Sequence, residues 1–246
     1  MDQLFTFILL CELSGTLTKY IYVDQKMDWL EAQKYCQQNY TDLAPVSTEK
    51  DVNKLKQLSG NVTHHIWIGL VRNLPGNENW RWSGGEVVSR NFWAENQPNN
   101  CQGNEDRGCM QESKWYDATL LYQTTFFCYS AEVVMEEKTW EEALEYCREK
   151  HHEDLASVAS ETEMLLIQKE LSKHNTKEVV WIGLRFLSED WLWVDREMMD
   201  YEAWSQGGKP LCPSTKTKCG ALQVTRGTKG VWEAHNCEEK LQFICY

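Results

Sequence analysis

Apolar residues follow a helical spacing in two short segments near the N-terminal end of the chain. In 29–36 the side chains of Ala32, Tyr35 and Cys36 fall on one helical face. The second segment, 49–58, follows Ser47 and Thr48, residue types that commonly cap helix N-termini. We therefore predict two helices in this part of the chain.

Short runs rich in aromatic and β-branched residues come after these helices and predict strands. They cover 66–70, 80–82 and 126–129. Two helices followed by several short strands are typical of an α+β domain.

The same pattern occurs twice. A series of aromatic residues and cysteines recurs at an offset of 111 positions: Trp29, Tyr35, Cys36, Trp80, Trp82, Trp93 and Cys101 return as Trp140, Tyr146, Cys147, Trp191, Trp193, Trp204 and Cys212. A repeat of this length is a whole domain rather than a solenoid unit. We therefore predict two tandem domains, 19–128 and 129–246. No Gly/Ser-rich or Pro-rich linker separates them, so they should lie close together.

The second copy carries its own helix signals. Thr139 precedes Trp140, and Glu142 stands three positions after Thr139, as in a capping box. Ser160 precedes a further predicted helix at 161–171. Each domain is therefore expected to contain two helices, short antiparallel strands and a long loop region.

Composition limits the class of partner. Of 246 residues, 42% are hydrophobic and 25% charged, which is typical of a globular protein. The formal net charge is −12 and the sequence pI is about 5.0. Because nucleic acids and anionic membranes are bound through clustered Lys and Arg, both are improbable partners on charge grounds.

Cysteine content indicates the compartment. The chain has ten cysteines and no Cys-x-x-Cys pair, which argues against a zinc or thioredoxin-like site and favours disulfides. An apolar run at 4–11, followed by small residues, predicts a signal peptide at 1–16, with a buried strand as the alternative. This run is too short to cross a bilayer, and no other segment has the length. We expect a secreted, extracellular protein without a transmembrane segment.

Two glycosylation sequons fit that compartment. They begin at Asn39 and Asn61. We expect N-linked glycans at both asparagines.

Several ordered motifs identify a family resemblance. The Trp-x-x-Ala-x-x-Tyr-Cys helix, Asp-Leu-Ala-x-Val at 42–46 and 154–158, Trp-Ile-Gly-Leu at 67–70 and 181–184, and the closing cysteine all occur twice. Together they resemble the C-type lectin-like domain, over essentially the whole mature chain.

The resemblance implies specific disulfides. An outer bridge joins the first helix to the last strand, and an inner bridge maps to the second domain only; the implied pairs are Cys36–Cys128, Cys147–Cys245 and Cys219–Cys237. In the first domain Cys109 is present, but the position of its usual partner, near Leu120, has no cysteine.

The remaining cysteines leave alternatives open. Cys101 and Cys109 form the simplest remaining pair. Cys212 is then unpaired or bonds a second chain, which would give a disulfide-linked dimer. A Cys101–Cys212 bridge between the domains would instead free Cys109, and sequence alone does not decide the connectivity.

The resemblance also implies a calcium-dependent sugar site. Sugar-binding members hold calcium in a long loop through hard oxygen ligands. The first domain matches at Gln97, Asn99, Glu105 and Asp117, with Pro98 implied to be cis. Tyr116 stands where the family has an asparagine. We therefore expect either a weakened calcium and sugar site or a loop that retains these residues for structural reasons.

The second domain lacks the calcium pattern. Its loop is cationic, with Lys209, Lys216 and Lys218 and no carboxylate between Glu202 and Glu233. These lysines suggest binding of an anionic ligand such as a sulfated glycan. The alternatives are attraction to the acidic loop of the first domain, or independent solvated loops.

The sequence shows no catalytic motif. No Gly-x-Ser-x-Gly elbow, phosphate-binding glycine loop or His-Glu-x-x-His is present. We expect a non-enzymatic protein that recognises glycans or glycoproteins, with calcium confined to the first domain. The alternative is a calcium-independent module that binds a protein partner.

Overall fold

The computed structural model describes residues 18–72, 79–88, 91–174, 176, 178–224 and 229–246. The predicted signal peptide lies outside these residues. The predicted α+β fold with two tandem domains of two helices each is confirmed.

The described residues of the first domain form seven strands and two helices. They are β1 (Tyr20–Met27), α1 (Trp29–Asn39), β2 (Asp42–Leu43), α2 (Glu49–Ser59), β3 (Ile66–Arg72), β4 (Trp80–Trp82), β5 (Glu105–Gln111), β6 (Lys114–Thr119) and β7 (Thr124–Tyr129).

The second domain repeats this order, except that the equivalent of β2 is a single bridge between Leu155 and Cys245. Its elements are β8 (Glu132–Lys138), α3 (Trp140–Lys150), α4 (Glu161–Lys173), β9 (Val179–Leu187), β10 (Asp190–Trp193), β11 (Cys219–Gln223), β12 (Val231–His235) and β13 (Leu241–Cys245).

All four helices begin at a polar N-cap. The side chains of Asp28, Thr48, Thr139 and Ser160 each accept a hydrogen bond from the backbone N–H three residues later. That bond satisfies one of the N–H groups that a helix start leaves without an intrahelical partner. The helices therefore begin where the sequence predicts.

Most strand pairs are antiparallel, as expected, and each sheet also contains one parallel pair. The order in the first sheet is β1-β7-β3-β5-β6, and β3 pairs with β7 in parallel. In the second sheet β9 pairs with β13 in parallel. A parallel pair needs a long crossover connection, and the long loop region of each domain supplies it.

Matching aromatic clusters anchor the long loop of each domain. In the first domain, ring centroids lie 4.9 Å apart for Trp80–Trp93 and 5.7 Å for Trp93–Trp115. The equivalent distances in the second domain are 5.0 Å for Trp191–Trp204 and 5.7 Å for Trp204–Trp232. Edge-to-face packing of large aromatic rings fixes the start of each loop against its sheet.

Three disulfides brace the two domains. They are Cys36–Cys128 and Cys147–Cys245, which join each first helix to the last strand, and Cys219–Cys237 within the second domain. The outer bridges span 92 and 98 residues. Closing loops of that length removes about 4 to 5 kcal/mol of chain entropy from the unfolded state in the entropy model.

The two domains pack against each other through one continuous apolar core, which includes residues of both. In this core the last residue of β7 meets the residue that follows β13. The rings of Tyr129 and Tyr246 lie edge to face, and their hydroxyl oxygens are 3.1 Å apart. These tyrosines are equivalent in the two copies, as are Asp51 and Glu163, so the interface has an approximate internal two-fold relation.

Among the described residues, one buried ammonium group joins the domains. Nζ of Lys19 lies 3.3 Å from Oδ1 of Asp51 and 2.6 Å from Oε1 of Glu163. Burial lowers the pKa of Lys19, but the two carboxylates outweigh that effect and hold it well above the usual value. Glu163 belongs to the second domain, so this contact fixes the domain arrangement.

For Glu163 the balance favours the neutral form, whereas for Lys19 it favours the charged form. Desolvation raises its pKa from 4.5 to about 7, because Lys19 is shared with Asp51 and offsets only part of the cost. The folded state therefore binds more protons than the unfolded state between about pH 4.5 and 7. This residue contributes stability that is complete at acidic pH and is lost as the pH rises through 7.

We expect the Glu163→Gln variant to lose this pH dependence. Lowering the pH from about 7.5 to 5.5 should raise the free energy of unfolding of the parent relative to the variant by roughly 2 kcal/mol. Urea unfolding of both proteins at each pH measures the difference, and titrating groups that do not interact with Glu163 cancel between them. A difference that stays constant with pH contradicts the assignment.

Candidate functional site

The loop between β4 and β5 carries the residues expected to bind calcium. It leaves the Trp93 anchor and passes through Gln97–Pro98, whose peptide bond is cis. Asn99 and Asn100 follow, and the chain returns at Glu105, the first residue of β5. Asp117 lies on β6, which pairs with β5, so the four expected ligands belong to one end of the sheet.

Asp117 holds the loop through backbone amides. Its Oδ1 accepts from N–H of Asn99 at 3.1 Å, and its Oδ2 accepts from N–H of Asn100 at 2.7 Å. The residue is only 7% exposed. A carboxylate with two amide donors at this depth orders the loop, and any cation bound here has to share these oxygens.

Two further oxygens converge on one amide. The N–H of Cys101 donates to Oδ1 of Asn99 at 2.8 Å and to Oε2 of Glu105 at 2.6 Å. Oδ1 of Asn100 accepts from the N–H of Glu105 at 3.0 Å. Sequence reasoning missed Asn100, although adjacent asparagines in a loop are typical of such local side-chain-to-backbone bonds.

The remaining expected ligand lacks a partner. Oε1 of Gln97 is buried and accepts no hydrogen bond from the described residues. An unpaired buried carbonyl oxygen costs about 1–3 kcal/mol, so it favours a bound ligand. Together with Asn99, Glu105 and Asp117 it offers only hard oxygen donors, the type calcium requires. The donor chemistry therefore fits calcium.

Tyr116 does not take part in this set. Its ring packs on His65, with centroids 4.8 Å apart, on the apolar cluster that also contains Cys109. Neighbouring residues of a strand point to opposite faces, which separates Tyr116 from Asp117. The loop therefore has one donor fewer than the family pattern.

The lysines of the second-domain loop have different surroundings. Nζ of Lys209 lies 2.9 Å from Asp190 and 3.4 Å from Glu202, and the hydrogen bond to Asp190 raises the pKa of Lys209. Lys218 lies 5.9 Å from the Phe186 ring, and Lys216 is exposed. The charge of Lys209 is thus balanced within the domain, and binding of an anionic ligand by these lysines stays a prediction.

The expected Cys101–Cys109 bridge is wrong. Both thiols are free, Cys101 exposed and Cys109 buried in strand β5, where its Sγ lies 3.4 Å from the carbonyl oxygen of Tyr116. Burial raises the pKa of Cys109. Cys212 is also free and exposed, so among the described residues three cysteines are unpaired rather than one.

Strand register explains why the first domain lacks an inner disulfide. A Cβ at Gly108 would meet Leu70, as one at Gly220 would meet Leu184, so Gly108 and Gly220 are equivalent. Arg107 therefore occupies the position of Cys219, and Cys109 corresponds to Ala221. Both half-cystines of the inner bridge are replaced in the first domain, by Arg107 and by Leu120.

Arg107 replaces the bridge with a stacking contact. Its guanidinium lies 4.9 Å from the centroid of the Trp29 ring. In the second domain Arg185, from a different strand, lies 4.8 Å from the equivalent ring of Trp140, beside the disulfide. A cation–π contact of this kind contributes about 0.5–2 kcal/mol, less than a disulfide.

The two sequon asparagines are both exposed. Asn39 ends α1, and Asn61 follows α2. The hydroxyl-bearing partner Thr41 is buried and accepts a hydrogen bond from the N–H of Ala131 at 3.1 Å, whereas Thr63 is exposed. Glycans at these positions stay a prediction, with Asn61 the more accessible sequon.

Other metal sites are scarce in the described part of the chain. The one group of three His, Cys, Asp or Glu donor atoms close together there is Glu141 with Cys219 and Cys237. The sulfur atoms of Cys219 and Cys237 form a disulfide, so neither can bind a metal ion as a thiolate. Among the described residues, no helix is long and apolar enough to span a membrane.

Comparison with known proteins identifies the family. The model of the lectin C-type domain matches twice, at residues 25–130 and 136–246. The chain therefore belongs to the C-type lectin domain family, with two tandem copies.

Individual relatives are distant and much longer. Human lymphocyte antigen 75 is 24% identical over 89% of this chain, and the rabbit secretory phospholipase A2 receptor is 23% identical over 92%. The chain spans only 14% and 17% of the length of these two proteins. Their names identify them as an antigen and a receptor.

Solved structures match one domain at a time. Human lithostathine is 25% identical, covering 45% of this chain and 81% of its own, with a TM-score of 0.41. The mouse scavenger receptor C-type lectin carbohydrate-recognition domain is 22% identical, covering 46% of this chain and 90% of its own, with the same TM-score of 0.41.

We expect the missing inner bridge to be restorable in the first domain. Arg107→Cys with Leu120→Cys, in a Cys109→Ala background that removes the competing thiol, should form a disulfide equivalent to Cys219–Cys237. Closing this short loop should raise the free energy of unfolding by up to about 3 kcal/mol.

The thiol count by mass spectrometry and the melting temperature check this expectation. The matched control carries Arg107→Ser and Leu120→Ser in the same background and should melt lower. Cys101 and Cys212 are free in every variant, so two free thiols are expected when the new bridge forms. Four free thiols in the oxidised cysteine variant contradict the register that equates Arg107 with Cys219.

Proposed function

We propose that this protein is an extracellular, non-enzymatic binding protein that recognises glycans or glycoproteins through the loop of its first domain. The observation that carries the proposal is the buried, unpartnered Oε1 of Gln97 beside Asn99, Glu105 and Asp117. The three disulfides of the described residues require an oxidising compartment. This requirement supports the proposal that the protein is secreted.

The loop residues have separate roles in this proposal. Gln97, Asn99, Glu105 and Asp117 hold a calcium ion, which when bound supplies open coordination positions for sugar hydroxyl oxygens. Asp117 also orders the loop through the amides of Asn99 and Asn100. The carboxylate oxygens of Asp117 already accept hydrogen bonds from backbone N–H groups, and Tyr116 supplies no donor. The calcium affinity is therefore weak.

We expect calcium to bind the first domain with a dissociation constant in the range of about 10⁻⁴–10⁻³ M typical of extracellular sites. Gln97→Ala and Glu105→Gln should each weaken it by about tenfold or more, because each removes an oxygen from a small donor set. Isothermal titration of the full chain with calcium measures this.

The matched control is Glu95→Gln, an exposed carboxylate in the same loop. It should leave the calcium affinity within about twofold, since exposed charges are largely screened. A glycan array with calcium or with chelator then tests recognition. If no heat accompanies calcium addition and no glycan signal depends on calcium, the loop is a structural remnant.

A second candidate function is calcium-independent binding of a protein partner by the second domain. The observation that supports this candidate is a set of exposed large apolar side chains in one stretch of that domain, namely Leu187, Leu192, Met198 and Leu211. Ligands bound through this stretch should tolerate chelator. Retained binding in chelator, lost on Leu192→Ser with Leu211→Ser, favours this candidate over the first.

We further propose that the exposed thiols allow covalent dimers. Cys101 and Cys212 occupy equivalent positions of the two domains, and both are exposed and unpaired. We expect a dimer band on non-reducing electrophoresis that decreases with Cys212→Ser and disappears with Cys101→Ser and Cys212→Ser together. The Cys109→Ser variant is the control, because that thiol is buried; an unchanged band in the double variant contradicts the proposal.

A further inference from the structure

A cleft opens between the two domains, and its lining includes none of the four candidate calcium ligands. It has a volume of about 450 Å³, within the size range of small-ligand sites. One wall is the α2 face with Lys50, Asn53, Lys54 and Gln57. The other wall belongs to the second domain, and the floor includes the buried side chains of Tyr20, Asp51 and Tyr246.

The approximate two-fold relation supplies an internal comparison for this cleft. On the equivalent side of the interface, α4 presents Thr162, Leu165, Leu166 and Lys169 to the first domain. There the interface is closed: a Cβ at Gly84 would lie 3.2 Å from Cγ of Leu166.

The cleft side has polar residues at the same positions. Lys54 stands where α4 has Leu166, and Asp195 stands where the first domain has Gly84. The fold can therefore close this interface by leucine-on-glycine packing, and on one side it does not. The open half is not a requirement of domain packing.

The second-domain wall is acidic and already holds an ammonium group. Nζ of Lys50 lies 3.0 Å from Oε2 of Glu197, 3.5 Å from Oδ2 of Asp195 and 2.8 Å from the Asp195 carbonyl oxygen. Glu197 is buried, with its side chain 2% exposed, whereas that of Lys50 is 50% exposed. The wall is thus a formed ammonium pocket, occupied by a side chain that can swing out to solvent.

Further along the cleft Lys54 repeats this arrangement. Its Nζ lies 2.9 Å from Oε1 of Glu153. Among the residues lining the cleft, five carboxylates face three lysines. Within the described residues, no three of these carboxylates bring one oxygen each within 4.8 Å of one another.

We propose that this interdomain cleft is a second binding site, specific for the lysine or arginine side chains of a basic peptide segment. An incoming cationic side chain displaces Lys50 from Glu197 and Asp195, and the amides of Asn53 and Gln57 face the peptide backbone. The net charge of −12 draws such a segment toward the protein.

The test uses the full chain in chelator, so that calcium in the loop does not contribute. The probe is a fluorescein-labelled peptide of alternating lysine and glycine, and its neutral counterpart has glutamine at each lysine. Fluorescence anisotropy measures the dissociation constant of each peptide. Wild-type protein should bind the lysine peptide at least about tenfold more tightly than the glutamine peptide.

Two pairs of variants separate the cleft from general attraction. Asn53→Arg places a cation inside the cleft, and Gln38→Arg adds the same charge on the exposed face of α1. Asn53→Arg should weaken binding of the lysine peptide by about tenfold, and Gln38→Arg should weaken it by less than about twofold. Lys50→Gln removes the resident ammonium and should strengthen binding, while Lys173→Gln, on α4, should have a smaller effect.

Equal weakening by Asn53→Arg and Gln38→Arg overturns the proposal, because it means that only the overall charge attracts the peptide. Absence of binding by the wild type at low salt also overturns it. A melting curve of each variant verifies the folded state, and the substituted side chains are exposed or half-exposed. The glycan and calcium measurements depend on other residues, so the two proposals succeed or fail separately.

Discussion

The arrangement of the two domains depends on one buried ammonium group shared by two helix-capping carboxylates. Asp51 and Glu163 occupy the third position of α2 and α4, and each uses one oxygen on backbone N–H groups before its helix. The other oxygen of each reaches Lys19. A buried charge costs several kcal/mol unless it is well paired. The same carboxylates that begin two helices therefore also hold the domains together.

Local signals in the sequence were sufficient for most of the secondary structure. Capping residues at Thr48, Thr139 and Ser160 placed three helix starts correctly, because a cap acts within one helical turn. The tandem repeat followed from residues that recur at one offset, and the outer disulfides were implied by the resemblance to the C-type lectin-like domain. These features depend on residues that are close in the sequence or on the equivalent residues of the other copy.

Features that depend on distant pairing were not predictable from sequence. The parallel contact of β3 with β7 arises only when the last strand inserts beside the third. A sequence comparison placed Cys109 at the position of Cys219, and only strand pairing shows that Arg107 stands there. The candidate ligands Gln97, Asn99, Glu105 and Asp117 were identified in advance, whereas the amide bonds that occupy Asp117 depend on how the loop folds back.

Joining the two halves of this interface in one polypeptide has an evolutionary consequence. In a homodimer, any substitution at the contact appears on both sides of the axis, so a charged residue that opens one half opens the other. Here Lys54 and Leu166 are encoded separately, and a change to one leaves its counterpart intact. After gene duplication, a substitution in one half of the interface no longer appeared in the other half. One half could therefore keep its leucine-on-glycine packing while the other acquired polar residues.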